Sequence, residues 1–183
     1  MAAWVLASAS PRRRDLLAAA GVEFTVCPAH IDETVLPGEA ARAYVRRVAR
    51  EKAAAVAGER VLAADTVVVL DGMVLGKPAG PDEARAVLQA LSGRTHTVYT
   101  AVVTRSQGRF TTRLCATQVR FRSLTLRDMD TYIATGEPYD KAGGYGIQGP
   151  GALLVARLRG SYTNVMGLPL EETLALLSRH GDP

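Results

Sequence analysis

The chain has 183 residues, 48% hydrophobic and 22% charged, which suits a globular domain with a sizeable core and excludes a disordered or fibrous chain. A net charge of +4 favours an anionic ligand, whereas an aromatic share of only 5% offers little to stack on unpaired bases, which argues against a nucleic-acid partner. No apolar run reaches the ~20 residues that span a bilayer, so no membrane association is expected.

In chain order, Ala3-Trp4-Val5-Leu6-Ala7 reads as a first strand. Ala7-Ser8-Ala9 resembles a signal-peptide cleavage site, but no basic stretch precedes it and the apolar run is short, so a mature strand and a cytoplasmic location are expected. Ser10 suits an N-cap and Pro11 the first helical position, opening a helix that Gly21 stops. Arg12, Arg13 and Arg14 fall in its first turn, against the preference of a helix N-terminus for anions. The cost falls if an anion sits among the N–H groups, the guanidinium groups and the hydroxyls of Ser8 and Ser10.

Val22 to Cys27 alternates as a second strand. A polar loop with His30, Asp32 and Glu33 leads to a helix over Glu39–Ala57, with an apolar stripe of Ala41, Tyr44, Val45, Val48, Ala55 and Val56. Lys52 falls on that stripe: it either snorkels to the rim or points into a cleft. Val61–Leu70 is almost wholly apolar and reads as a central strand covered on both faces. Asp65 sits inside it, and a buried acid needs a cation, a metal or a hydrogen-bond network, for a structural salt bridge or for catalysis.

Asp71-Gly72 turns the chain back through Met73-Val74-Leu75, and Gly76-Lys77-Pro78 follows. A helix over Pro81–Leu91 precedes a long hairpin of Thr95–Thr104 and Arg109–Phe121, turned at Ser106-Gln107-Gly108. Thr125 to Asp128 resembles a capping box. An irregular stretch from Glu137 to Gly151, a strand over Leu153–Leu158 and a helix over Pro169–Ser178 end the chain.

Several motifs are excluded. Gly144-Tyr145-Gly146-Ile147-Gln148-Gly149 spells a dinucleotide fingerprint, but no strand precedes it and Pro150-Gly151 blocks the helix it requires. Cys27 and Cys115 form no Cys/His cluster, which excludes a zinc site; both read as buried, reduced thiols. His30, His96 and His180 lack ligand spacing and read as structural or exposed. What remains is dispersed: cations at Arg12, Arg13, Lys52, Lys77 and Lys141, carboxylates at Glu33, Asp65 and Asp140, and an amide at Gln148. Cations gather phosphates, while carboxylates hold Mg²⁺ or Mn²⁺ and orient water, so the set describes hydrolysis of a nucleotide-like anion.

Ser8-Ala9-Ser10-Pro11-Arg12-Arg13, Asp32-Glu33, Ala64-Asp65-Thr66, Gly76-Lys77-Pro78, Leu91-Ser92-Gly93 with His96, and Asp140 to Gly149 together resemble the Maf family of nucleoside triphosphate pyrophosphatases. Gly160-Ser161-Tyr162 and Val165 to Leu170 extend the match over nearly the whole chain. The resemblance implies one Maf-like domain over 1–183, with two lobes not separable in sequence. It implies an α/β, mixed-sheet fold with a deep central cleft, similar to inosine triphosphate pyrophosphatases. The implied reaction is cleavage of a nucleoside triphosphate to monophosphate and pyrophosphate, with a divalent metal, Mg²⁺ or Mn²⁺. Asp65 takes the place of the proton-accepting aspartate, and Glu33 lies with it near the metal. Ser8, Ser10, Arg12, Arg13, Lys52, Thr66, Lys77 and Gln148 fall to the substrate. A homodimer is the expected assembly.

Arg12, Thr66 and Gln148 resemble the branch that acts on dTTP and UTP, rather than the 7-methyl-GTP branch with tryptophan, glutamine and glutamate there. A neutral amide can pair with both N3–H and a carbonyl of uracil or thymine. Modified pyrimidine nucleotides would fit too. The rival reading is a non-enzymatic regulator of septum formation.

Overall fold

The computed structural model describes residues 3–179; His180 lies outside them. The described elements are β1 (Trp4–Leu6), α1 (Pro11–Ala19), β2 (Phe24–Val26), α2 (Ala41–Ala55), β3 (Arg60–Leu70), β4 (Met73–Leu75), α3 (Pro81–Leu91), β5 (Thr95–Ser106), β6 (Arg109–Phe121), α4 (Leu126–Ile133), β7 (Val155–Arg159), α5 (Tyr162–Met166) and α6 (Leu170–Ser178). They build an α/β fold on a seven-stranded sheet ordered β2-β1-β3-β5-β6-β7, with β4 on β3. The sheet is mixed: β1 runs parallel to β2 and β3, while β4 on β3 and β7 on β6 are antiparallel.

The chain forms two compact units, and β3, β5 and β6 contribute residues to each. The first unit takes the chain up to Thr66, then Thr100–Cys115, then from Gly167 on. Its core gathers Trp4, Leu6, Leu17, Leu62, Val102, Leu168, Leu176 and Leu177. The second takes Val67–Tyr99 and Ala116–Met166, around Val68, Leu88, Leu91, Val98, Phe121, Met129 and Tyr145.

Local rules account for most boundaries. Ser10 caps α1 by accepting from Arg13 N–H, and Pro11 opens the helix. Thr125 and Asp128 close a reciprocal capping box on α4, and Arg122 grips the same carboxylate at 2.8 and 3.0 Å. β3 is buried along its length apart from half-buried Thr66, as its unbroken apolar run predicts.

Four expectations need correction. Cys27 is exposed, because β2 is a largely exposed strand, and Cys115 is half-buried, its thiol donating to Glu172 at 3.1 Å. Ala55 faces solvent, since the buried stripe of α2 steps from Lys52 and Ala53 to Val56. β7 starts at Val155, because Gly149–Leu154 coil into a 3₁₀ turn. α5 was not foreseen: five residues show no period, and it is pinned by buried Asn164, whose amide donates to Val98 O and Thr117 Oγ1.

Candidate active site

In the first unit two of the predicted residues, Asp65 and Glu33, converge on the ammonium of a third, Lys52. The stripe of α2 carries Lys52 inward, where it is 8% exposed. Lys52 Nζ donates to Asp65 Oδ1 of β3 at 2.8 Å and meets Glu33 Oε1 at 3.0 Å. Asp65 is buried and Glu33 about half exposed, so this cluster has a dry end and a wet end.

The loop bearing Glu33 has no regular structure of its own and is held by α2. Tyr44 donates to Glu33 O at 2.8 Å. Arg47 clasps both Glu39 oxygens at 2.7 and 2.8 Å and donates to Thr34 O. Asp32 accepts from the amide and hydroxyl of Thr34 and takes no part in the cluster itself. Tyr44 was legible only as a member of an apolar stripe; its hydroxyl role carried no sequence signal.

Arg13 is buried and reaches back into the chain. Its guanidinium donates to Gly167 O at 2.8 Å, Ser8 Oγ at 3.0 Å and Thr66 Oγ1 at 3.1 Å. Three of its five N–H groups are thus committed to Ser8, Thr66 and the Gly167 carbonyl. Thr66 Oγ1 also shares a hydrogen bond with Thr100, at 3.0 Å, a residue sequence reasoning passed over. Ser8 Oγ accepts from Ser10 N–H as well. Arg12 is half-buried beside them in α1, and Arg14 pairs on the surface with Asp15.

The electrostatics follow from burial. Desolvation raises the Asp65 carboxyl above its ordinary range, opposed by the charges of Lys52 and Arg13. Desolvation lowers the Arg13 guanidinium, with Asp65 opposing. Burial, then the charges of Asp65 and Glu33, pushes the Tyr44 phenol up to about 12. Asp65 is therefore a stronger base than an exposed aspartate, held beside a cation that keeps its anion tolerable.

The second unit carries Lys77 and Gln148, both exposed. Gly143 N–H donates to Gly76 O at 3.0 Å, so the segments that bear them are joined. The glycines between serve close packing. A Cβ at Gly143, where φ is +70°, would lie 2.7 Å from Val68, and one at Gly151 would lie 2.1 Å from the Gly146 carbonyl oxygen. Lys141 donates to Asp140 and to Glu137 O, forming a local clasp.

Asp65 and Glu33 both face the Lys52 ammonium, at 2.8 and 3.0 Å, and each brings a hard carboxylate oxygen. Among the described residues, no group of three or more His, Cys, Asp or Glu side chains is placed to hold a metal. The pair fits Mg²⁺ or Mn²⁺ that keeps waters and phosphate oxygens as its other ligands, and does not fit a closed protein cage.

A family model described as Maf-like protein matches residues 3–180. The chain belongs to the Maf family. Maf relatives named dTTP/UTP pyrophosphatase run close to it over nearly full length. The Anaeromyxobacter dehalogenans and Myxococcus xanthus proteins are each 56% identical over 98% of this chain, which is 94% and 93% of their own. That of Shewanella denitrificans is 51% identical over 96% of this chain and 94% of its own. These matches bear out the resemblance read from the motifs.

Proposed function

We propose that this Maf protein hydrolyses dTTP and UTP to the nucleoside monophosphate and pyrophosphate. The carrying observation is the Asp65–Lys52–Glu33 cluster: a buried carboxylate of raised basicity, 2.8 Å from an ammonium that also meets a half-exposed second carboxylate at 3.0 Å. The relatives' names support the reaction and the pyrimidine substrates. So does Gln148, a neutral amide exposed for contact with a base.

Asp65 accepts a proton from water as the water oxygen bonds to the α-phosphorus. The bond from that phosphorus to the bridging oxygen breaks, and pyrophosphate departs with the electron pair. Arg12, Lys52 and Lys77 supply cations to the triphosphate, with Ser8 and Ser10 as hydroxyl donors and Arg13 setting Ser8 and Thr66. Glu33 and Asp65 would hold Mg²⁺ or Mn²⁺, which when bound neutralises phosphate charge. A cytoplasmic enzyme, active as a homodimer, completes the reading; no helix among the described residues is long and apolar enough to cross a membrane.

The test is pyrophosphate release from a panel of nucleoside triphosphates, 7-methyl-GTP included, with Mg²⁺ or Mn²⁺. Turnover led by dTTP and UTP is expected. Activity on none of them, or highest activity on 7-methyl-GTP, refutes the reading.

A further inference from the structure

The second unit holds a buried polar cluster that the chemistry above does not use. His96 of β5 is 2% exposed, and its Nε2 lies 2.7 Å from the Tyr145 hydroxyl. The rings of His96, Phe121 and Tyr145 meet edge to face, with centroids 4.7–5.3 Å apart. One residue on, Gly146 N–H donates to the hydroxyl of Tyr132 on α4 at 3.1 Å. Consecutive residues of an irregular segment are thus tied to two separate core elements, one through its side chain and the next through its backbone.

Such anchoring is costly. His96 Nδ1 and Glu137 Oε2 are buried without a hydrogen-bond partner, and an unmet buried polar group costs about 1–3 kcal/mol. An apolar core of the same volume would avoid that penalty. The glycine contacts point the same way, since the Gly151–Gly146 approach leaves no room for a side chain. What the anchors restrain is the path of residues 145–151, and the exposed polar side chain on that path is Gln148.

We infer that the Tyr132 and Tyr145 hydroxyls are a positioning device for base selection: they fix the backbone that carries Gln148, so that its amide meets uracil or thymine in one orientation. The inference rests on the proposed role of Gln148 and adds residues that touch neither substrate nor phosphate. A pair of hydrogen bonds to one base demands a fixed amide. A loose segment would still bind nucleotides but would discriminate between them poorly.

The experiment is a double-mutant cycle read as the ratio of kcat/KM for UTP to that for CTP. Tyr132→Phe keeps the ring and removes the hydroxyl, and should lower the ratio about tenfold, the worth of roughly one hydrogen bond. In a Gln148→Ala background, the same change should leave the ratio unaltered. Tyr145→Phe should repeat the pattern, and it serves as the test if Tyr132→Phe does not fold. A fall in kcat shared equally by UTP and CTP, or an equal change of ratio in both backgrounds, overturns the positioning role. If Gln148→Ala lowers the ratio and the tyrosine variants do not, positioning alone is refuted. If Gln148→Ala itself leaves the ratio unchanged, base reading by Gln148 is refuted and this inference falls with it.

Discussion

His96 should make the stability of the protein fall in mild acid. Its imidazole is 2% exposed, and burial lowers its pKa from 6.5 to about 4. Between those values the folded protein binds fewer protons than the unfolded chain, so the contribution is full above 6.5 and is lost as pH falls through about 4. The loss is about 2 kcal/mol by about pH 5 and about 3 kcal/mol once complete. Urea unfolding of the wild type and His96→Gln, at about pH 7.5 and about pH 5, isolates this group, because every other titrating side chain is common to the two proteins. The gap between them should shift by about 2 kcal/mol toward the variant on acidification. Parallel pH profiles would refute the burial argument.

Asp65→Asn should lower turnover by about 10²–10⁴-fold, the usual worth of a general base. It should not lower stability at neutral pH, because the raised Asp65 carboxyl contributes stability that is lost as pH rises through its folded value; full activity in steady-state assays would remove Asp65 from the reaction. For the same reason, the Asp65 carboxyl of the metal-free protein should titrate above the ordinary carboxylate range by NMR, and a value at or below that range contradicts its desolvation. Gln148→Glu should cut kcat/KM for UTP at least about tenfold and shift the urea midpoint little, since the residue is exposed; an unchanged substrate profile would defeat the base-reading role. Gly143→Ala should cost about 2–4 kcal/mol, from a Cβ 2.7 Å from Val68 and a φ of +70°; an unaltered urea midpoint would show that the segment moves aside.

What could be read from sequence follows the range of the forces involved. α1, α3, α4 and the long hairpin were visible because caps, turns and periodicity act within a few residues. Lys52 and Asp65 stood out because each breaks an apolar pattern, and the structure places them 2.8 Å apart. The partners of Arg13 were not visible: its bonds to Thr66 and to Gly167 span 53 and 154 positions, and no local rule foretells such a pairing. Three arginines in one turn look alike in sequence, yet one is buried, one half-buried and one exposed. Cys27 was misjudged for a related reason. The lack of a Cys/His cluster suggested a buried, reduced thiol, but exposure depends on which elements cover the chain, and Cys27 follows β2, which pairs with β1 at the end of the sheet order.

The two sequence readings of Asp65, structural ion pair and catalytic base, turn out to describe one arrangement. A lone carboxylate on a buried strand would take up a proton, and a carboxylate that is fully neutralised and hydrogen-bonded would be a weak base. Lys52 stands between these limits. Its ammonium is shared with Glu33, and the remaining desolvation outweighs the help Asp65 receives, so the carboxyl stays raised. Replacing Lys52 by a neutral side chain should therefore push the Asp65 carboxyl of the metal-free protein higher still, and it should weaken phosphate binding. An Asp65 carboxyl that titrates no higher in that variant, followed by NMR, would refute this balance.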